Sequence, residues 1–578
     1  MTGVLARAVF RRRTWSRLTE LAIFAAALAL FYAVLALGRT WLGPFTPAAE
    51  ISRSPRALPG YAAYSLGRIV IAYALSLAFA LGYGYAAARS ARAERLLLPL
   101  LDILQSIPVL SFLPGVMLAM VALFPRRQLG LELGAILLIF TGQAWNIAFS
   151  FYSSLKSIPR ELEEAARIYR FSRWQRFTEL ELPYAAIGLV WNSMMSVAGG
   201  WFFLMACEMF VLGRRDFRLP GLGSYLQTAA SAGDTSAILW GLAAMIGVIV
   251  LLDQFIWRPV IAWSDKFKFE QVESAAGEAA SRSAVLTLLR RSGVAAALNR
   301  KLIGPVGERM TLFFARRAAA VVEPKKPAAW KAWLGGALGV AVVAALGYAA
   351  LRAGLTLRKL TSSDVVEMGR GAGLTFLRVN VALLLGALWT VPAGVAIGSS
   401  PRLARIAQPL AQVAASVPAT ALFPVVLLVL IRAGGGMGLA AIALMLLGTQ
   451  WYILFNVIAG AMAIPSDLKE AADIFRFGIW ERWRKLILPG IFPYLVTGML
   501  TAAGGAWNAS IIAEYFHFKG EIHSTAGLGA AISRATDAGE FHVLLAATIV
   551  MAAIVVTMNR VVWQRLYRLA ETRFKLET

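Results

Sequence analysis

Residues 157–183 read SIPRELEEAARIYRFSRWQRFTELELP, and residues 463–489 read AIPSDLKEAADIFRFGIWERWRKLILP. The two stretches stand 306 positions apart and stay in register throughout. Pro159 falls on Pro465, Glu164-Ala165-Ala166 on Glu470-Ala471-Ala472, Arg170 on Arg476, Trp174 on Trp480 and Pro183 on Pro489. Repetition at a fixed spacing means a duplicated structural unit. Pro159 suits the first turn of a helix, and Glu161, Glu163 and Glu164 suit its positive N-terminal end. A second short segment, 173–180, follows and stops before Leu182-Pro183, where apolar chain resumes. Each stretch therefore reads as one or two short helices joining two apolar spans. Small Ala165 and Ala166 let another protein approach closely, while Glu164 and the nearby arginines offer charge-paired contacts. A single such loop reads as an ordinary connection packed on its own spans. Two at identical spacing favour a shared external task.

The repeat extends well beyond the loops. Downstream at the same offset, Trp201 falls on Trp507, Glu208 on Glu514, Gly221-Leu222-Gly223 on Gly527-Leu528-Gly529 and Trp257 on Trp563. Upstream the offset becomes 310, pairing Arg68 with Arg378, Pro99 with Pro409, Pro108 with Pro418 and Pro114 with Pro424. The 578 residues are 58% hydrophobic and only 15% charged, too apolar for a soluble enzyme. Stretches of about 20 apolar residues cross a bilayer as helices. Twelve are read: 21–38, 69–88, 96–124, 134–154, 184–211 and 238–262, then 332–351, 379–398, 406–431, 437–460, 490–513 and 543–563. The fold expected is all-α and integral to the membrane, as two parallel repeats of six spans. Its parts are a first half (1–263), a basic linker (264–331) and a second half (332–578).

Charge then orients the chain. With both termini inside, 40 of the 57 Lys and Arg fall on the inner side, as the positive-inside rule requires. The net charge of +25 thus follows from topology and needs no nucleic acid. The linker holds 13 basic and 6 acidic residues; it reads as a tether whose amphipathic stretches suit an anionic lipid surface. Cys207 is the one cysteine and His517, His523 and His542 are the three histidines. That inventory offers no disulfide framework, no metal site and no catalytic residue.

The duplicated motif resembles the EAA loop of binding-protein-dependent ABC importer permeases, in which Glu-Ala-Ala is followed about seventeen residues later by a hydrophobic residue and Pro. Here Glu164-Ala165-Ala166 leads to Leu182-Pro183, and Glu470-Ala471-Ala472 leads to Leu488-Pro489. The chain looks most like nitrate/sulfonate/taurine-type permeases with two permease domains fused. The resemblance implies the type I importer permease fold in a bacterial cytoplasmic (inner) membrane. It implies that the loops, with Glu164, Ala165, Ala166, Arg170 and Pro183 and their counterparts Glu470, Ala471, Ala472, Arg476 and Pro489, couple to two cytoplasmic ABC ATPase subunits. An extracytoplasmic binding protein would deliver a small solute, an anion among the options, such as nitrate, a sulfonate or taurine. ATP and Mg would be used by the ATPases, with no cofactor bound by this chain, and the phosphate-binding pattern G-x-x-x-x-G-K-[ST] occurs nowhere in it. The family carries glycine four residues after the second alanine, where this chain has Arg170 and Arg476. A turn without glycine is expected to bend differently.

Charged and polar groups within spans default to functional roles. Glu208 and Glu514 end the fifth and eleventh spans and read as a gate or substrate contact, or as anchors for the Gly-Leu-Gly loop that follows. Asp102 has Gln412 as its counterpart in the repeat and is a candidate for half-specific polar work, which makes Asp102, Glu208, Gln412 and Glu514 the pore or gate candidates. Arg68 and Arg378 read as snorkelling groups, and the 17 Trp as interfacial anchors and core filling. The alternative function is a carrier driven by an ion gradient; a membrane enzyme would need a His, acid or nucleophile constellation that is not visible.

Overall fold

The computed structural model describes residues 50–124, 129–212, 215–267, 329–518 and 521–573, with a few isolated positions between 305 and 313. The expected first span, 21–38, and almost all of the linker lie outside the described residues. In the first half the helices are α1 (Leu58–Arg89), α2 (Ala91–Ser106), α3 (Leu113–Leu123), α4 (Leu129–Lys156) and α5 (Arg160–Ile168). Then follow α6 (Arg173–Glu208), a hairpin β1–β2 (Val211–Leu212, Arg215–Asp216), α7 (Leu222–Ser231) and α8 (Thr235–Ser264). The second half repeats the order: α9 (Ala329–Leu357), α10 (Ser362–Ser399), α11 (Pro401–Ser416), α12 (Ala419–Arg432), α13 (Met437–Ala463) and α14 (Ser466–Ile474). After these come α15 (Ile479–Ala513), a hairpin β3–β4 (Tyr515–Phe518, Glu521–Ser524), α16 (Leu528–Ala538) and α17 (Phe541–Ala570).

Eight of these, α1, α4, α6, α8, α10, α13, α15 and α17, are long and apolar enough to cross a membrane. The third and ninth expected spans are not single helices. Each breaks at a proline: α2 gives way at Pro108 to a 3-10 turn (Val109–Phe112) and then α3, and α11 gives way at Val417-Pro418 to α12. The residue before proline is driven out of the helical region and proline supplies no N–H. Val417 is accordingly extended, at φ −75° and ψ 119°. The segment 173–180 is also revised. It does not end before Pro183 but runs straight into the span as one helix, α6.

A wider turn makes that continuity possible. Residues 176–181 and 483–487 form π turns, in which the Leu182 N–H reaches the Phe177 carbonyl and the Leu488 N–H reaches the Trp483 carbonyl. Pro183 and Pro489 lie immediately after. The extra residue per turn gives the proline ring room without stopping the helix. A third π turn, Asp253–Trp257, precedes Pro259 in α8 in the same way.

The halves interlock reciprocally. α2 of the first half packs on α17 of the second, and α11 of the second packs on α8 of the first. Likewise α6 packs on α12, and α15 on the 3-10 turn at 109–112. Buried Trp201 and Trp507 belong to one apolar core that runs through both halves.

Candidate functional site

Three places bring functional residues together: a pair of loops at one end of the bundle, a pair of buried ion clusters at the other, and a cavity between the halves.

The loops are nearly superposable in their hydrogen bonding. Helix α5 starts at Pro159 and α14 at Pro465, both at extended φ/ψ. Each ends with a bond five residues back, Phe171 N–H to Ala166 O and Phe477 N–H to Ala472 O, both 2.9 Å. That closure needs a left-handed residue between. Arg170 (φ 49°) and Arg476 (φ 51°) supply it, and among the described residues they are the non-glycine residues with positive φ. The turn therefore keeps the bend glycine would give, because the i+5 hydrogen bond dictates it. The cap of the next segment is Ser172, whose hydroxyl accepts from Gln175 N at 3.2 Å; its counterpart Gly478 instead donates its N–H to Glu481 Oε2 at 3.3 Å.

Among the charged groups that the loops expose, each presents a pair of large apolar side chains. Ile168 and Tyr169 are 78% and 75% exposed, and Ile474 and Phe475 are 77% and 74% exposed. Ala166 and Ala472 face inward and are buried, while Glu164 and Glu470 are exposed on the same helices. The loops differ in how they are tied. Arg176 pairs with Glu163 and, at 2.9 Å, with the buried Glu181, which also pairs with Arg89 of α1. The equivalent Arg482 pairs with Asp473, and Ile487 stands where the first half has Glu181.

At the opposite end Glu208 and Glu514 are fully buried. Glu208 accepts from Arg68 Nη1 at 2.7 Å, Ser65 Oγ at 2.7 Å and Gly223 N at 2.7 Å. Glu514 accepts from Arg378 Nη1 at 2.8 Å, Thr375 Oγ1 at 2.8 Å and Gly529 N at 2.9 Å. Arg68 does not snorkel: it is 3% exposed and also bonds Glu132 at 2.5 and 2.6 Å. Burial forces these charges to find each other. The loop glycines allow it, since a Cβ on Gly221 or Gly527 would meet the carboxylate at 2.3 or 2.0 Å. Nearby, burial and the Asp537 carboxylate, which accepts from Tyr515 Oη at 2.6 Å, hold the Tyr515 hydroxyl above the usual phenol range.

A cavity of about 600 Å³ lies between the halves. Its walls come from α6 and α8 of the first half and from α11, α13 and α15 of the second, with the break at Val417-Pro418 in its lining. Asp253, on the π turn of α8, joins the halves: its Oδ1 accepts from Gln412 Nε2 at 3.0 Å, and its Oδ2 accepts from Arg258 Nε at 3.1 Å. Gln412 therefore lines the cavity; Asp102 sits on α2, and its side chain lies outside the described residues. Glu208 and Glu514 are absent from the lining. Sequence reading passed over Asp253, although an acid inside the apolar run 238–262 is the kind of signal that marks a site. The tryptophans read as interfacial anchors and core filling, whereas Trp191, Trp257 and Trp451 line the cavity. No group of three His, Cys, Asp or Glu suited to a metal ion occurs among the described residues.

Comparison with known proteins agrees with the repeat. Residues 75–256 and 382–575 match the family model described as binding-protein-dependent transport system inner membrane component. The nitrate import permease protein NrtB of Leptolyngbya laminosa is 28% identical over 185 residues, covering 32% of this chain and 63% of that protein. The bicarbonate transport system permease protein CmpB of Synechocystis sp. is 30% identical over 24% of this chain and 48% of that protein. The taurine transport system permease protein TauC of Escherichia coli is 30% identical over 31% of this chain and 59% of that protein. The chain thus spans about half to just under two thirds of the length of these relatives.

Proposed function

The chain belongs to the family of binding-protein-dependent transport system inner membrane components, and from that premise we propose that it supplies both membrane-spanning halves of an ATP-driven importer. The two halves enclose the translocation path, and the loops at 159–183 and 465–489 each seat one of two ATPase subunits. The observation that carries this reading is the duplicated apolar platform, Ile168-Tyr169 and Ile474-Phe475, held beside exposed Glu164 and Glu470. Exposed apolar groups rimmed by charge mark a docking surface, and a rigid helix seated on a moving partner passes its displacement to the attached span. The continuity of α6 and α15 with their loops supports that transmission.

The chain itself is not catalytic in this reading. ATP and Mg are used by the separate ATPases, and an extracytoplasmic binding protein delivers a small solute to the hairpin end. In this reading the platform end and both termini lie in the cytoplasm of a bacterial inner membrane, which the excess of Lys and Arg on that side supports. A gradient-driven carrier has no need of two matched docking platforms, which favours the importer.

The reading is tested by ATP hydrolysis in detergent. The purified chain alone is expected to show none, and addition of its cognate ATPase and binding protein should produce solute-stimulated hydrolysis. Hydrolysis by the rigorously purified single chain, or no physical association with the ATPase, would refute it.

A further inference from the structure

We propose that the cavity between the halves takes an organic solute that carries no net negative charge and is held among aromatic rings, rather than an inorganic anion. This rests on the importer reading and narrows its substrate.

Size is the first argument. A cavity of about 600 Å³ lies within the range of small-molecule sites, roughly 300–1,000 Å³. An inorganic oxyanion would fill a small part of it and leave the rest to water or to apolar wall.

Charge is the second. The described lining contains one ionisable acid, Asp253, and no Lys, Arg or His. An anion entering sheds water and needs a counter-charge to offset that cost. Arg258 is engaged by Asp253 at 3.1 Å and is not part of the lining. The start of α12 borders the cavity through Pro418 and Ala419 and offers a partial positive charge. That suits the acidic end of a zwitterion, while the pairing of Arg258 with Asp253 leaves the lining without a cation for a full anion.

The polar groups point the same way. Asn456 spends an N–H on the Tyr452 carbonyl at 2.8 Å, and Asn508 spends one on the Gly504 carbonyl at 3.1 Å. Gln408 donates toward Met462 Sδ at 3.5 Å. Asn508 Oδ1 also accepts from Leu110 N at 3.4 Å, and each amide has a second N–H, so these uncharged side chains offer both donors and acceptors to a polar organic solute. The rings of Trp191, Trp257, Trp451 and Tyr452 also line the cavity, and an aromatic face attracts cations and flat rings and repels anions.

The experiment uses proteoliposomes holding the chain with its ATPases and binding protein. The solute that co-purifies with the binding protein is identified by mass spectrometry, and its uptake is compared with that of nitrate, bicarbonate and taurine. The expected solute is organic, without net negative charge at pH 7. Trp451→Ala should raise its transport KM at least tenfold and Trp451→Phe less than threefold. Asn456→Lys should cut uptake at least tenfold, and Asn456→Asp less than threefold. Nitrate or bicarbonate uptake equal to that of the co-purified solute, an unchanged KM in Trp451→Ala, or the reverse order of the Asn456 variants would overturn the inference while leaving the importer intact. No ATP-dependent uptake of any solute would overturn both.

Discussion

At Arg170 and Arg476 the backbone is left-handed although the side chain is not glycine. An L-residue pays about 1–2 kcal/mol there, and glycine regains part of this after the entropy it adds to the unfolded chain. Arg170→Gly and Arg476→Gly are therefore expected to stabilise their loops by up to about 1 kcal/mol each. Hydrogen exchange across 160–168 and 466–474 checks it, with slower exchange expected and faster exchange counting against the strained-turn account. The buried clusters give a second residue-scale test. Breaking a buried pair by removing one partner costs about 3–5 kcal/mol. Arg68→Leu strands both Glu208 and Glu132, whereas Arg378→Leu strands Glu514, and Arg68 is the more buried cation at 3% against 11% exposure. Both variants should melt earlier in detergent, Arg68→Leu by the larger margin.

At the scale of the element, the two loops share a shape but not a tether. Arg176 is tied through Glu181 to Arg89 on α1, while Arg482 reaches only within its own loop, to Asp473 and to the Phe477 carbonyl at 3.3 Å. Replacing Glu181 by the second-half residue, Glu181→Ile, leaves Arg89 without its acid and should loosen the first loop. Exchange should rise in 160–168 and stay unchanged in 466–474; equal change in both would mean the tether is not local. This asymmetry was partly legible, since Glu181 aligns with Ile487 in the repeat, yet nothing in the spacing says that Arg89 lies beside it. The breaks at Pro108 and Pro418 show the same division. The prolines were visible, but apolar residues on both sides made 96–124 and 406–431 look continuous, because hydropathy records solvent and not direction. The cavity was least legible of all. A tryptophan facing lipid and one facing a cavity sit in equally apolar sequence, and only the packing of α6, α8, α11, α13 and α15 distinguishes Trp451 from an anchor.

At the scale of the whole molecule, the fused halves present two platforms on one polypeptide, and this sets both stoichiometry and avidity. One copy of the chain should assemble with two ATPase subunits, and native mass spectrometry showing two copies per ATPase pair would contradict the fusion reading. In the proposed assembly the two platforms seat a single ATPase dimer, so their contributions multiply. A hydrogen bond to a charged group contributes about 1.5–3 kcal/mol, and the exposure of Glu164 and Glu470 sets the lower end. Glu164→Ala and Glu470→Ala should each weaken ATPase capture about tenfold. The double variant loses both anchors and with them the high effective concentration that one bound site confers on the other, so it should fall well below either single change. The buried clusters at the other end contain neither residue, so folding and insertion should persist, as unchanged melting of the double variant would show. Pull-down of the ATPase and ATP-driven uptake by vesicles report the outcome for all three variants. Normal uptake by the double variant would mean that Glu164 and Glu470 carry no load, and docking would then rest on the apolar residues Ile168, Tyr169, Ile474 and Phe475 alone.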